Sequence, residues 1–354
     1  MLSLKKILII LLPIFFLLNT CSESLDDIAN MSSMEMIEHT ANGVKKAAIT
    51  VGVVRNGQMS YKVYGENGKE LSKREYAYEI GSITKTFTAA LIAKSLYENI
   101  INLDDSINLY LNLPVSGYYP TIRRLLTHTS GYKSSYYEGY VSTDFLNSRN
   151  NFYSITERKV INRIGSIKLE TKDYPFEYSN FGFAVLGLTL EKINNDSFTL
   201  LMNNYIKNDL WLNNTRISDG NGDLSNYWVW DNGNPYIAAG ALMSNITDMM
   251  KYAQMQMNET QPYFNLSHDI LAQVNATPPD YEKLGIRIDA VGAGWMIDTV
   301  NNIIWHNGGT GNYNCYLGFD KSNQIAVVVL SNMAANFRIN ATLIGSALLN
   351  ELRR

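Results

Sequence analysis

Ser82 and Lys85 stand three residues apart in "EIGSITKTF" (79–87). On a helix that spacing sets a hydroxyl beside an amine. A serine hydroxyl is a poor nucleophile until a base takes its proton. A lysine can be that base once burial or a neighbouring cation brings its pKa toward neutral. A serine at a helix start gains further, because main-chain N–H groups there point at developing negative charge. The same S-x-x-K spacing recurs at Ser3/Lys6 and at Ser130/Lys133, so spacing alone selects nothing.

Placement separates the three pairs. Ser3/Lys6 lies ahead of "ILIILLPIFFLL", a 12-residue apolar run from Ile7 to Leu18. That run is short for a membrane span and reads as the core of a secretory signal. Ser130/Lys133 straddles Gly131 in "THTSGYKSSYY", a turn. Ser82/Lys85 follows the strand-like "YAYEIG" and opens a helix expected over 82–98, where Phe87, Ala90, Leu91 and Lys94 recur at helical spacing. Its apolar continuation, "FTAALIA", would bury Lys85. A Ser82 that only caps the helix, with Lys85 reaching out to solvent, also fits this stretch, which leaves both readings open.

The elements around the pair give the organisation. Residues 22–44 read as a spacer or a loose first helix. "AAITVGVVRNGQMSYKVYG" reads as two strands joined by Asn56-Gly57, a strong hairpin signal. Helical patches dominate the middle, most clearly 181–194 and 245–257. Strands return after 290 in "GAGWMID", "NNIIWH", "YNCYLGF" and "QIAVVVLSN", and a helix over about 337–352 ends the chain. The expected fold is α/β (α+β): an antiparallel sheet built from both chain ends and flanked by helices. The domain is expected over 45–354, as an α/β lobe (45–105 plus 286–354) and a mostly helical inserted lobe (106–285). A ligand cleft is expected between the two. The Tyr-rich stretch with Tyr132, Tyr136, Tyr137 and Tyr140 either walls that cleft or is a solvated loop.

Composition narrows the chemistry. The chain has 354 residues, 46% of them hydrophobic, and a net charge of −3. Nothing suggests a nucleic-acid-binding surface, which would be basic. There is no G-x-S-x-G, no H-E-x-x-H, no P-loop and no complete dinucleotide fingerprint. No metal and no cofactor is expected. Lys5 and Lys6 ahead of the apolar run predict a signal peptide over 1–21, hence export to the cell envelope or secretion from a bacterium. Cys21 after the run invites lipidation as a lipoprotein anchor, although Thr20 stands where a small residue is preferred. A lipid there would be the chain's one membrane contact. Cys315 would then be the only cysteine left, unable to form an internal disulfide, and its alternating surroundings place it in a buried strand. Trp295 and Trp305 read as core residues, and the domain is expected to be a monomer.

Further stretches then carry a resemblance. "GSITKTFTAALIAKSLYEN", "TIRRLLTHTSGY" (121–132), "FEYSNFGFAVLG" (176–187), "AAGALMSNITDMMKYAQ" (238–254), "GAGW" (292–295) and "WHNGGTGNYNCYLGFD" (305–320) occur in this order. Together they resemble the serine β-lactamase and penicillin-binding-protein superfamily, in the branch of class C β-lactamases and D-alanyl-D-alanine carboxypeptidases, over roughly residues 45–350. The resemblance implies a β-lactamase/transpeptidase-like fold and a small-molecule or peptide substrate: a D-alanyl peptide, a β-lactam or an ester. It implies Ser82 as the acylated nucleophile and Lys85 as general base. Tyr178 would relay a proton, for which its pKa must be lowered, with a nearby lysine cation as the available cause. Asn180 would orient Lys85 and substrate, while also suiting a cap for helix 181–194. The N–H groups of Ser82 and Gly309 would form the oxyanion hole, and Gly308 would let the strand approach closely. His128 in "LTHTSG" reads as structural.

One element departs from the pattern. The chain has no K-T-G, and its place is taken by His306-Asn307-Gly308. Certain peptidases and esterases of the branch share an H-x-G there. His306 is expected to set substrate recognition and electrostatics, with Asn307 and Gly308 binding substrate. A histidine titrating near about 6.5 would hold an anionic substrate better as pH falls through that value. Loss of a permanent cation favours a peptidase or esterase over an efficient β-lactamase. A penicillin-binding module without turnover is the rival of another class.

Overall fold

Strand β1 (Ile49–Arg55) turns through Asn56-Gly57 into β2 (Gln58–Tyr64). Both turn residues have positive φ, 49° and 81°, as a tight two-residue hairpin requires. The structure is a computed structural model and describes residues 24–114, 117–136, 150–337 and 339–354. The proposed signal segment with Cys21, and Tyr137 and Tyr140, lie outside the described residues. Among those described, no helix is long and apolar enough to cross a membrane.

Further along come β3 (Glu70–Leu71), β4 (Tyr78–Glu79), β5 (Arg216–Ile217), β6 (Leu242–Ser244), β7 (Ala272–Gln273) and β8 (Ala290–Val291). Last come β9 (Met296–Asp298), β10 (Ile303–Gly309), β11 (Asn314–Asp320) and β12 (Ile325–Ser331). Nine of these form one antiparallel sheet in the order β3-β2-β1-β12-β11-β10-β9-β8-β7. The two chain ends meet where β1 pairs with β12, Ile49 opposite Ser331 through Arg55 opposite Ile325. The expected sheet is therefore present, and its central seam is the junction of the termini.

Helices cover both faces, which is why β12 is apolar without alternation. Ala326, Val328 and Leu330 face one core, shared with the helix Ile246–Met257 and the inserted helices. Ile325, Val327 and Val329 face a second core under the helix Ala341–Leu352. Cys315 lies fully buried in β11, and Trp295 and Trp305 are buried as expected. β4, β6 and β5 form a separate three-stranded sheet. Tyr132 is buried and Tyr136 half-buried, both set edge-on to Phe181. These two tyrosines pack the inserted lobe.

One open reading resolves and one expectation needs correction. Within 22–44, read as a spacer or a loose first helix, the described residues favour the helical alternative: Leu25–Asn30 and Ser33–Ala41 are helices, each opened by a capping box, Ser24 with Asp27 and Ser32 with Glu35. Ile28, Met36, Ile37 and Ala41 enter the second core, and Ser33 hydrogen-bonds Glu351 of the last helix through both its N–H and its hydroxyl. Helices this short show too few turns for a periodicity to be read. Burial of these side chains contributes on the order of 5 kcal/mol. Removing residues 24–44 is expected to lower the urea midpoint sharply relative to a chain starting at 24, and an unchanged midpoint would restore the spacer reading. The correction concerns Ser82. It sits in a single 3₁₀ turn, Gly81–Ile83, ahead of the helix Thr84–Tyr97, which has no side-chain cap. Its hydroxyl is free of a capping role.

Candidate active site

Ser82 is reached from β4, whose Tyr78 and Glu79 pair with Ser244 and Met243 of β6. The 3₁₀ turn leaves Ser82 partly exposed, while Lys85 one turn on is completely buried. Lys85 Nζ lies 3.0 Å from Ser82 Oγ, 2.7 Å from Asn180 Oδ1 and 2.7 Å from the Ala239 carbonyl oxygen. The rings of Tyr178 and Phe183 stand 4.9 Å and 5.6 Å from Nζ. No carboxylate is among these neighbours. Burial in this company holds the Lys85 pKa well below the usual lysine value.

The count of hydrogens follows. A neutral amine has two N–H donors and one lone pair. Two carbonyl-type acceptors, Asn180 Oδ1 and Ala239 O, take the two N–H groups. The lone pair is left for the remaining neighbour, the Ser82 hydroxyl. The same two acceptors stabilise the ammonium that forms when the proton arrives. Ala239 had no signal in the sequence, because it acts through its main chain from the short helix Ile237–Gly240.

Asn180 is delivered by the helix Asn180–Asn194, in which it is the first residue. The cap is its neighbour: Ser179 Oγ accepts from Gly182 N–H at 2.9 Å and donates to the Lys133 carbonyl at 2.8 Å. The expected capping role for Asn180 is thus corrected, and its amide is spent on Lys85. Tyr178 is buried, with its ring against Lys85 Nζ at 4.9 Å. His128 holds this segment. Its Nδ1 accepts from Ser179 N–H at 3.0 Å, its carbonyl accepts from Glu177 N–H at 2.8 Å, and its ring centroid lies 4.5 Å from that of Tyr178. The structural reading of His128 fits these contacts.

Tyr178 departs from expectation in its acidity. Burial pushes its phenol up, and the nearby Ser82 hydroxyl opposes this only in part. Lys85 is not among the causes acting on it, so the expected lowering by a lysine cation is absent. Tyr178 is a phenol donor at neutral pH.

The third wall is β10. A Cβ on Gly308 would lie 1.8 Å from the Ile80 carbonyl oxygen and 3.1 Å from Ser82 N, so the strand touches the nucleophile's own main chain. One on Gly81 would lie 2.6 Å from Gly309 N. Ser82, Gly308 and Gly309 are therefore brought together as expected. Side chains alternate along the strand. His306 and Gly308 face the Ser82 side, whereas Trp305 and Asn307 face the terminal helix. Asn307 donates its amide to Thr342 Oγ1 at 3.0 Å, so it ties strand to helix and does not face substrate, contrary to expectation.

His306 also needs correction. It is fully buried, its Nδ1–H donates to the Asn307 carbonyl, and its ring lies 6.2 Å from that of Tyr178. Burial first, and Lys85 second, push its pKa down to about 3. It supplies no charge at pH 6.5 and cannot hold an anion better as pH falls through that value. The titration shows in stability instead. His128 is likewise held well below its usual value, and His268 is lowered to about 4, both chiefly by burial. In each case the folded pKa lies below the unfolded one. The stability they contribute is complete above about pH 6.5 and is lost as pH falls toward the folded values, at about 1.4 kcal/mol per pH unit for each histidine. Urea unfolding at pH 7 and pH 5 should show this slope. His268→Gln, remote from Ser82, should flatten it, and an unchanged slope would contradict the assignment.

Among the described residues no group of three or more His, Cys, Asp or Glu is placed to hold a metal ion. The beta-lactamase family model matches residues 36–348. The chain is 24% identical over 334 residues to protein flp of Staphylococcus aureus strain COL, covering 85% of this chain and 63% of that protein. It thus spans under two thirds of the length of this relative. Its fold is similar to that of an octameric penicillin-binding protein homologue from Pyrococcus abyssi, with a TM-score of 0.71, 23% identity, and coverage of 90% of this chain and 75% of that one. It is similar too to a beta-lactamase/D-alanine carboxypeptidase from Yersinia pestis, with a TM-score of 0.69, 18% identity, and coverage of 93% and 99%. A catalytic-type serine and a buried amine, on a sheet sewn from both chain ends, meet here with a family match over most of the sequence: the chain belongs to the beta-lactamase family of serine hydrolases.

Proposed function

We propose that this chain hydrolyses a D-alanyl peptide, or a related amide or ester, through an acyl-enzyme on Ser82. The observation that carries the reading is the placement of Lys85, fully buried with its Nζ 3.0 Å from Ser82 Oγ and held there by Asn180 Oδ1 and the Ala239 carbonyl. In acylation the Ser82 proton passes to Lys85 Nζ as Oγ bonds to the substrate carbonyl carbon. The carbonyl oxygen gains negative charge beside the Ser82 and Gly309 amides. The Tyr178 phenol gives its proton to the leaving amine or alkoxide and is reprotonated from Lys85. The bond from carbonyl carbon to leaving group breaks, and Lys85 is neutral again. A water then attacks the ester, with Lys85 taking its proton and returning it to Ser82 Oγ as the acyl C–O bond breaks.

Substrate preference follows from β10. His306 is neutral and Asn307 is turned away, so neither offers a cation or donor for a substrate carboxylate. This supports an amide or ester without a free carboxylate at that place over the anionic substrate of a class C-type β-lactamase. The similarity to the beta-lactamase/D-alanine carboxypeptidase from Yersinia pestis supports the substrate class. The export expected from residues 1–21 would place the enzyme where such peptides occur. The test is a panel: a chromogenic cephalosporin, a fluorescent penicillin, a D-Ala-D-Ala peptide and a short-chain ester, each with wild type and Ser82→Ala. Ser82-dependent turnover of peptide or ester is expected. Rapid cephalosporin turnover assigns a β-lactamase, labelling without turnover assigns a penicillin-binding role, and no Ser82-dependent reaction removes the enzyme reading.

A further inference from the structure

Glu79 is a carboxyl group with 2% exposure, three residues before Ser82, and the mechanism above does not use it. Its Oε2 accepts from Thr310 Oγ1 at 2.6 Å. Its Oε1 accepts from Trp228 N–H at 2.5 Å and lies 3.4 Å from Ser218 Oγ, which donates to the Trp228 carbonyl at 2.8 Å. Its own carbonyl accepts from Cys315 Sγ. Four segments thus converge on one residue: β4 leading to Ser82, the end of β10 just after Gly309, the neighbouring β11, and the loop crossing from Ser218 to Trp228. We infer that Glu79 is a positioning residue for the oxyanion hole, its carboxylate clamping the Thr310 end of β10 and the Ser218–Trp228 loop onto the strand that delivers Ser82. The inference rests on the reading of Ser82 as nucleophile.

The position invites this role. The Gly309 amide must stand beside the Ser82 amide, yet Gly309 is exposed and has no side chain to anchor it. Thr310 is the next residue and is buried, so fixing its hydroxyl fixes the amide before it. The other groups facing Glu79 are Tyr227, Tyr313 and Cys315. Tyr227 and Tyr313 stack on one another and spend their hydroxyls on the Ala77 and Ser225 carbonyls. Burial raises the pKa of all three, so each is uncharged at neutral pH. Among the described residues no cation compensates Glu79, and burial raises its pKa to about 7 against the hydrogen bonds from Thr310, Trp228 and Ser218.

Ionisation decides the strength of the clamp. A carboxylate accepts both short bonds, from Thr310 and Trp228, and charge-assisted bonds are about twice as strong as neutral ones. Protonation removes the charge from both, and the clamp weakens. The sign for stability is opposite. A folded pKa above the unfolded value means stability is lost as pH rises from about 4.5 toward 7. A neutral isostere should therefore fold at least as well as wild type while working less well.

The test is Glu79→Gln, read with a fluorescent penicillin and with the best substrate of the panel between pH 5.5 and 8.5. Wild type is expected to lose acylation rate as pH falls through about 7. Glu79→Gln should be about tenfold slower at pH 8, mainly in kcat, with that limb of the profile gone and thermal unfolding no lower. Thr310→Val, which removes one donor and keeps the charge, should also slow acylation and retain the limb. Unchanged or faster acylation in Glu79→Gln, or a limb near 7 that survives it, overturns the inference while leaving Ser82 as nucleophile. If Glu79→Gln fails to fold, the wild-type limb and Thr310→Val decide alone. A wild type with no Ser82-dependent reaction removes both readings.

Discussion

Replacing Lys85 with alanine is expected to lower kcat/KM for every Ser82-dependent reaction by about 10³–10⁴-fold. Two effects add. The Ser82 proton loses its acceptor at 3.0 Å, and the leaving group loses the source that reprotonates Tyr178. Tyr178 cannot take over as base, because burial keeps its phenol protonated at neutral pH. Stability should move much less. The variant leaves Asn180 Oδ1 and the Ala239 carbonyl without their partner, a cost of about 1–3 kcal/mol for each unsatisfied group. Removal of a buried amine offsets part of that. Lys85→Met, which keeps the volume, separates the two: it should melt close to wild type and be as inactive as Lys85→Ala. Rates on the panel and thermal unfolding measure both. A Lys85→Met protein retaining a tenth of wild-type rate would end the assignment of Lys85 as base.

The sequence made the pair legible through placement, and it failed where the role is carried by main chain or by which face a side chain takes. Ser82 and Lys85 stood out because a strand precedes them and a buried helix follows. The hairpin at Asn56-Gly57 and the runs that became β10, β11 and β12 were equally open, since both follow from local rules of turn chemistry and apolar runs. Asn307 was misjudged because strand parity needs the register: a side chain beside a catalytic strand position belongs to the opposite face. His306 was misjudged because a reference pKa near 6.5 holds in water, and total burial removes the water. Residues 24–41 stayed open between spacer and helix because their packing partner, the helix Ala341–Leu352, lies at the other end of the chain.

These corrections bear on one another. A cation on β10 would sit near Lys85 and would depress or polarise it from outside. With His306 neutral, the low pKa of Lys85 rests on burial alone, the only cause acting on it. Activation of Ser82 in this chain therefore depends on how tightly the walls around Lys85 exclude water. A change that opens the contact between β10 and the 3₁₀ turn should impair proton transfer as well as the oxyanion hole.

Gly308→Ala tests that dependence with the smallest change available. Gly308 lies in β10 with no positive φ, so alanine meets no backbone strain. The obstacle is contact. Its methyl would sit 1.8 Å from the Ile80 carbonyl oxygen, far inside van der Waals contact, and 3.1 Å from Ser82 N. Both neighbours are main chain, so no flexible side chain can give way. Either β10 withdraws or the turn Gly81–Ile83 shifts, and each parts the Ser82 and Gly309 amides. Removal of one oxyanion donor costs about 10²–10³ in kcat, and a displaced strand also admits water to Lys85. A loss of about 10³-fold or more is expected, with overpacking costing about 1–3 kcal/mol of stability. Gly57→Ala is the control: its φ of 81° makes alanine strained, but it lies in the β1–β2 turn away from Ser82. It should cost comparable stability and leave the rate per folded molecule unchanged. If Gly308→Ala acylates at the wild-type rate, the close approach of β10 is not what holds the oxyanion hole, and the clamp at Glu79 loses its purpose with it.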